Sequence, residues 1–355
     1  MMEHDDYLRA CWYVAGWSDE FGHDKPQARL LLDEPIALYR TSDGTLIALS
    51  DRCAHRHAPL SLGRIEGDHL RCMYHGLRFA PNGSCVEIPG QQQIPARACV
   101  RTYPVAEKGS WAWVWMGDPA AADPALIPPV CGFDDPDWVL KSGQLDYDAP
   151  YQLINDNLLD LSHLAYVHAN SFGATTGWSS RPPKTSVLER GVRVERWIEG
   201  APPVPPLPSL AQYDSVDLWV TYDFLAPGVF IMYTAMFPPG SAPRFEHGAP
   251  SGKPLFSNLT AQAVTPMTAN SSRTFFTWGP GAEFGGEAIA QQMIDVATIA
   301  FREDKTIIEA QAQIIARNPQ QPMLATSADK AVALFRRKMD ELRGARGIAA
   351  QASRR

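Results

Sequence analysis

The sequence predicts an α+β protein of two domains, and three observations carry that reading. The chain has 355 residues, more than a single hydrophobic core usually encloses. Its first third, and the stretch from about 184 to 280, consist of short runs alternating apolar and polar side chains, the period of half-buried strands. Between and after these runs, apolar residues recur at helical spacing. The expected division is residues 1–120, a small antiparallel β domain; residues 121–345, a larger antiparallel sheet with a long helix; and residues 346–355, a mobile tail.

The elements follow in chain order. ARLLLDEPIALYRTSDGTLIALSD reads as two or three strands with a turn at Ser42-Asp43-Gly44. HLRCMYHGLRFAPNGSCVEIPG repeats the pattern, with Pro81-Asn82-Gly83 as its hairpin turn. WAWVWMGD is an aromatic strand, and the Pro- and Asp-rich DPAAADPALIPPVCGFDDPDW is a connector. In DYDAPYQLINDNLLDLSHLAYVH, Leu153, Leu158, Leu161 and Leu164 fall at helical spacing, and Asn170-Ser171-Phe172-Gly173 is a place for that helix to end. TSVLERGVRVERWIEG, SVDLWVTYDFLAPGVFIMYTAMF and SRTFFTWGPG belong to a second antiparallel sheet. EAIAQQMIDVATIAFREDKTIIEAQAQIIARN is a long amphipathic helix closed by Asn318-Pro319, and ADKAVALFRRKMDELRG is another, ending at Gly344.

Composition narrows the function classes. Hydrophobic residues make up 45% and charged residues 20%, as in ordinary globular proteins. The net charge of −7, with no basic stripe before the last residues, argues against a nucleic-acid footprint. The N-terminal MMEHDDYLRACWYVAGW has neither the basic nor the apolar region of a signal peptide, and no run is apolar enough to span a bilayer. A cytoplasmic protein is expected, with its six cysteines reduced.

The strongest motif is Cys53-Ala-His55, sixteen further residues, then Cys72-Met-Tyr-His75. Each loop supplies one thiolate and one imidazole. Two thiolates suit one ferric iron and two imidazoles the other, the ligand set of a [2Fe–2S] cluster of raised potential. Zinc also takes two cysteines and two histidines, but its ligands come in like pairs, Cys with Cys and His with His. Cys11, Cys85, Cys99 and Cys131 have no histidine beside them and read as core residues.

CAHRHAPLSLG followed by CMYHGLRF resembles the Rieske domain of aromatic-ring oxygenases, in particular the group of vanillate O-demethylase oxygenase and dicamba monooxygenase. The resemblance runs from WYVAGW to the EDK of the long C-terminal helix. It implies a Rieske [2Fe–2S] domain followed by a helix-grip catalytic domain.

A second motif, Asp160-Leu-Ser-His163-Leu-Ala-Tyr-Val-His168, takes its meaning from the first. A mononuclear ferrous oxygenase site needs two histidines and one carboxylate on one face of the metal. On an ideal helix His163 and His168 would point roughly 140° apart, so the helix must end or distort for both to reach one iron. The resemblance implies that the carboxylate is Asp304, with Glu303 and Asp295 as alternatives. It gives Asp160 a bridging role: its carboxylate would hydrogen-bond His163 and the cluster ligand His75 of a neighbouring chain in a head-to-tail homotrimer. Asn157 would lie on the same helix face near the iron.

No G-x-G-x-x-G follows a strand, so electrons are expected from a separate NAD(P)H-dependent reductase or ferredoxin. The resemblance implies hydroxylation of an aromatic substrate with O₂. If the carbon is an O-methyl group, the hemiacetal collapses to a phenol and formaldehyde. N-demethylation and ring hydroxylation use the same machinery and stay open; a Rieske electron carrier is the remote alternative. By alignment with the family's pocket, substrate contacts fall near Asp223, Gln262 and Asp295. The two acids would repel a carboxylate, and Arg244, His247 or Arg273 is a possible positive partner.

Overall fold

The computed structural model describes residues 7–352 apart from Asn170, Gly173, Pro205, Pro206, Pro208 and Ser209, with side chains as far as residue 344. The chain forms two compact units: Met1–Pro129 with Thr265–Ala269, and Val130–Val264 with Asn270–Arg355.

The first unit is built of short strands: β1 (Trp12–Trp17), β2 (Gln27–Leu31), β3 (Glu34–Arg40), β4 (Leu46–Ser50), β5 (Arg64–Glu66), β6 (His69–Arg71), β7 (Arg78–Phe79), β8 (Cys85–Glu87), β9 (Thr102–Tyr103), β10 (Val105–Lys108) and β11 (Trp111–Trp115). They form three sheets, ordered β1-β11-β10, β2-β3-β4-β9 and β5-β6-β7-β8, antiparallel at each pairing. Both expected hairpin turns are present. At the second, Gly83 has φ +80° and donates to Ala80 O at 2.8 Å. A Cβ there would lie 2.2 Å from Val100 O, so the turn requires glycine. The core between the sheets gathers Leu49, Leu60, Leu70, Phe79 and the two motif cysteines, Cys53 and Cys72.

The second unit holds one seven-stranded sheet. Its strands are β12 (Lys141–Tyr147), β13 (Lys184–Leu188), β14 (Gly191–Ala201), β15 (Val216–Leu225), β16 (Val229–Phe237), β17 (Phe256–Thr268) and β18 (Ser271–Pro280), in the order β12-β18-β17-β16-β15-β14-β13. The helices are α1 (Tyr151–Leu159), α2 (Leu164–Val167), α3 (Gly177–Ser180), α4 (Ser241–Arg244), α5 (Glu287–Arg317) and α6 (Lys330–Ala352). α5 buries Ala290, Met293, Ile294, Ala297, Ala300 and Ile308, the stripe that its spacing predicts. That stripe packs on Phe276 of β18, whose ring meets Phe301 edge-on at 4.7 Å. Room for the Phe276 ring exists because its cross-strand partner is Gly143, where a Cβ would fall 2.3 Å from it.

The helix that carries His163 and His168 is interrupted, as their convergence on one metal requires, whereas the expected end of the final helix needs correcting. α1 ends at Leu159, Asp160 adopts an extended backbone, a 3₁₀ turn covers Leu161–His163, and α2 stops at Val167. The Asp160 carboxylate accepts from Ser162 N at 2.9 Å, so capping of this new turn competes with helix continuation. Of the expected stop signal, Asn170 and Gly173 lie outside the described residues. The final helix does not end at Gly344 but runs on to Ala352. Gly344 lacks the positive φ of a terminating glycine, and the alanine-rich residues after it are good helix formers. That helix takes in residues 346–352 of the expected tail, and 353–355 lie outside the described residues.

Candidate active site

In the first unit, the two cysteine–histidine loops have matching backbones. Cys53 N donates to Ala58 O and His57 N to Cys53 O; Cys72 N donates to Leu77 O and Gly76 N to Cys72 O. The fourth residue after each cysteine has positive φ, +58° at His57 and +78° at Gly76. Both loops thus turn the same way and bring their side chains together. Cys53 and Cys72 are buried at 1% exposure, whereas His55 and His75 are exposed with ring centroids 4.6 Å apart. Burial, helped by the hydrogen bond with Cys72, pushes the Cys53 thiol up to about 11 against the pull of the His55 backbone N–H. Two buried sulfurs behind two surface imidazoles fit the thiolate and imidazole ligands that a [2Fe–2S] cluster of this type would take. Neither cysteine forms a disulfide.

The second unit assembles the other motif. His168 Nε2 lies 3.1 Å and His163 Nε2 3.4 Å from Asp304 Oδ1. Ligand atoms of the three residues all lie within 4.8 Å of one another. His163 closes a 3₁₀ turn and His168 ends the short α2, so the pair departs from ideal helical spacing and both rings turn toward Asp304. His163 Nδ1 is tied to Asp160 O at 2.7 Å and His168 Nδ1 to Glu303 Oε2 at 2.9 Å, which leaves both Nε2 atoms for a metal. Asp304 comes from the buried stripe of α5, where an acid among apolar residues needs a partner. Burial raises its carboxyl, but hydrogen bonds to His163 and His168 outweigh that and hold it down at about 2. Burial likewise lowers His168, and Asp304 and Glu303 more than offset it, so its imidazole is shifted up. Asn157 Nδ2 donates to Asp304 Oδ1 at 3.1 Å. Two histidines and one carboxylate are the donor set of a mononuclear ferrous site.

Not every expected residue falls where it was placed. Glu303 faces Nδ1 of His168, on the side away from Asp304. The contact between Asp160 and His163 is made by the Asp160 backbone oxygen, while its carboxylate caps the next turn. A cavity of about 320 Å³ opens beside His168, whose ring meets the lining residue Phe172 edge-on at 5.2 Å. None of Asp223, Gln262 and Asp295 lines it. Asp223 alternates onto the opposite face of β15 from the lining residue Leu218 and pairs with Arg193 at 2.6 Å. Gln262 lies on the inner face but four residues, about 13 Å, along β17 from the lining residue Asn258. Asp295 is exposed on α5 and accepts from Gln291 at 2.9 Å. Arg244, His247 and Arg273 are absent from the lining too; Arg273 pairs with Asp146.

The cavity wall carries residues that the sequence reading missed: Ser171, Thr234, Asn258, Trp278 and Gln292 among many apolar side chains, with no charged residue among the described residues that line it. The cross-strand register Thr234↔Asn258 puts both on one face, and Trp278 Nε1 donates to Asn258 Oδ1 at 2.7 Å. Strand alternation alone would have put Thr234 and Leu218 on one side, but which end of the sheet faces the iron is not a local property.

Comparison with known proteins agrees with this geometry. Residues 11–104 match the Rieske [2Fe–2S] domain and residues 147–345 the vanillate O-demethylase oxygenase C-terminal domain. This chain belongs to the Rieske non-haem iron oxygenases. It is 38% identical to the toluene-4-sulfonate monooxygenase system iron-sulfur subunit of Comamonas testosteroni, over 95% of this chain and 97% of that protein. It is 34% identical to the dicamba O-demethylase oxygenase component of Stenotrophomonas maltophilia, over 95% and 98%. A crystal structure of dicamba monooxygenase with 3,6-dichlorosalicylic acid superposes at TM-score 0.85 and 30% identity, covering 96% and 99% of the two chains. The cofactors of this Rieske oxygenase are accordingly a [2Fe–2S] cluster and a mononuclear iron. No helix among the described residues is long and apolar enough to cross a membrane.

Proposed function

We propose that this oxygenase component oxidises a one-carbon substituent on a single-ring aromatic substrate, most directly by O-demethylating a methoxyaryl compound with release of formaldehyde. The observation that carries the reading is the cavity beside His168. At about 320 Å³ it sits at the small end of ligand pockets, and Phe172, Trp178 and Trp278 give it aromatic walls. The ring would be held by these walls and by the neutral donors Asn258, Thr234 and Ser171. With Asp223 and Asp295 outside the lining, the expected repulsion of a substrate carboxylate disappears.

Cys53, His55, Cys72 and His75 would hold the cluster, and His163, His168 and Asp304 the iron. The cluster supplies single electrons from a separate reductase or ferredoxin, and the iron supplies O₂ activation. The chain's own residues do the rest. Asp304 keeps both Nε2 atoms converged, Asn157 steadies Asp304, and the apolar walls exclude water from the reacting carbon. Asp160, half-exposed at the head of the His163 turn, would take the cluster histidine of a neighbouring copy in a homotrimer.

The identity of 38% to the toluene-4-sulfonate monooxygenase subunit favours one second reading, hydroxylation of an aryl methyl group. Turnover with a surrogate reductase separates the two. Formaldehyde and a phenol from methoxybenzoates support O-demethylation; a benzylic alcohol from toluene-4-sulfonate, with methoxybenzoates untouched, overturns it.

A further inference from the structure

One small set of contacts joins the cavity to the histidine–carboxylate group. Ser171 lines the cavity, and its hydroxyl donates to Glu303 Oε2 at 2.6 Å. The same Oε2 takes the Nδ1 proton of His168 at 2.9 Å. The other nitrogen of His168 faces Asp304. Phe172, next in sequence to Ser171, meets His168 edge-on at 5.2 Å and Trp278 at 5.6 Å. His168 is nearly inaccessible at 1% exposure, while the Glu303 side chain keeps 32%.

We infer that Glu303 is a positioning residue for His168, and that Ser171 makes this position responsive to what fills the cavity. A free imidazole can place its proton on either nitrogen and can rotate. A carboxylate on Nδ1 fixes the proton there, directs the Nε2 lone pair at the metal and strengthens it as a donor. One carboxylate oxygen serves both donors. An occupant that takes the Ser171 hydroxyl as its own donor removes one of the two bonds and leaves Oε2 to His168 alone. Metal geometry then changes with cavity occupancy, without any occupant touching His168. The positioning half needs only these contacts; the responsive half rests on the aromatic cavity of the proposed function.

The test uses the full-length protein with its cluster intact and its mononuclear metal removed by chelation. Co(II) is the probe, titrated by its visible spectrum, which reports ligand geometry. Glu303→Gln should weaken Co(II) binding about 10–100-fold, with Glu303→Asp intermediate. Ser171→Ala should weaken it less, Ser171→Thr should restore it, and Ser171→Ala should add nothing in a Glu303→Gln background. Far-UV circular dichroism and the cluster absorption confirm that each variant is folded. Toluene-4-sulfonate and 4-methoxybenzoate, with binding read separately by tryptophan fluorescence, should shift the Co(II) spectrum of the unaltered protein but not of Ser171→Ala. Co(II) affinity within twofold of the unaltered protein in Glu303→Gln overturns the positioning role. Equal Ser171→Ala effects in both backgrounds overturn coupling through Glu303. Aromatics that bind yet leave the spectrum unchanged overturn the responsiveness, whereas aromatics that do not bind at all count against the proposed substrate class instead.

Discussion

Replacing Asp304 by Asn should separate the two jobs this carboxylate does. The side chain keeps its size, and its remaining oxygen can still accept from Asn157, 3.1 Å away in the native protein. In the metal-free protein, the carboxyl sits at about 2 against an ordinary 3.8, because hydrogen bonds to His163 and His168 overcome its burial. A gap of that size corresponds to about 2 kcal/mol. The native pKa is the lower one, so this stabilisation is complete above pH 3.8 and is lost as pH falls through about 2. At about pH 5, where protonated imidazoles donate from Nε2 to this carboxylate, metal-free Asp304→Asn should therefore melt about 4–8 °C lower in the transition of the second unit. With metal the loss grows. Four-ligand structural zinc sites contribute about 10–16 kcal/mol, about 3 kcal/mol per ligand, which predicts iron binding weaker by about two orders of magnitude. Chelator competition and iron analysis after gel filtration read this directly, and the unchanged cluster spectrum reports the state of the first unit. Iron affinity within tenfold of the native protein, or greater iron loss in Glu303→Gln than in Asp304→Asn, would refute the choice of carboxylate.

Three further outcomes are expected. Cys72→Ser should abolish the red-brown absorption and the acid-labile sulfide, since an alkoxide replaces a thiolate poorly; a colourless native protein with stoichiometric zinc would sink the cluster assignment. Asp160→Asn keeps a good capping residue and should fold normally, whereas Asp160→Ala should lose about 1 kcal/mol of stability. Both should bind the two cofactors and be reduced normally by the reductase, yet form product orders of magnitude more slowly; native rates of cluster reoxidation with substrate and O₂ would exclude the bridging role. Trp278→Phe removes the 2.7 Å hydrogen bond to Asn258 and should raise the substrate KM about tenfold with little change in kcat, while an unchanged KM would place the substrate elsewhere.

What the sequence by itself determined was chemistry carried by local spacing. Cys53-x-His55 and Cys72-x-x-His75 each lie on one short turn, so their convergence follows from two loops of similar shape. The strand and helix pattern was legible for the same reason: period-2 and period-3.6 burial are written into neighbouring residues, as along Ala290, Met293, Ala297, Ala300 and Ile308 of α5. Where one local preference opposed another, only the folded chain settled the outcome, as at Asp160, where capping of a new 3₁₀ turn overrode helix continuation ahead of His163. The acids Glu303 and Asp304 are adjacent in sequence and chemically alike. Roughly 100° of helix rotation sends one to His168 Nδ1 and the other to His168 Nε2, and the helix's placement against the sheet decides which. The same holds for the cavity. Asp223 lies on the outer face by strand parity, Gln262 too far along its strand, and Asp295 on the exposed side of α5, while Ser171, Asn258 and Trp278 meet from three distant segments. A pocket wall is set by long-range register and packing, and no window of neighbouring residues contains it.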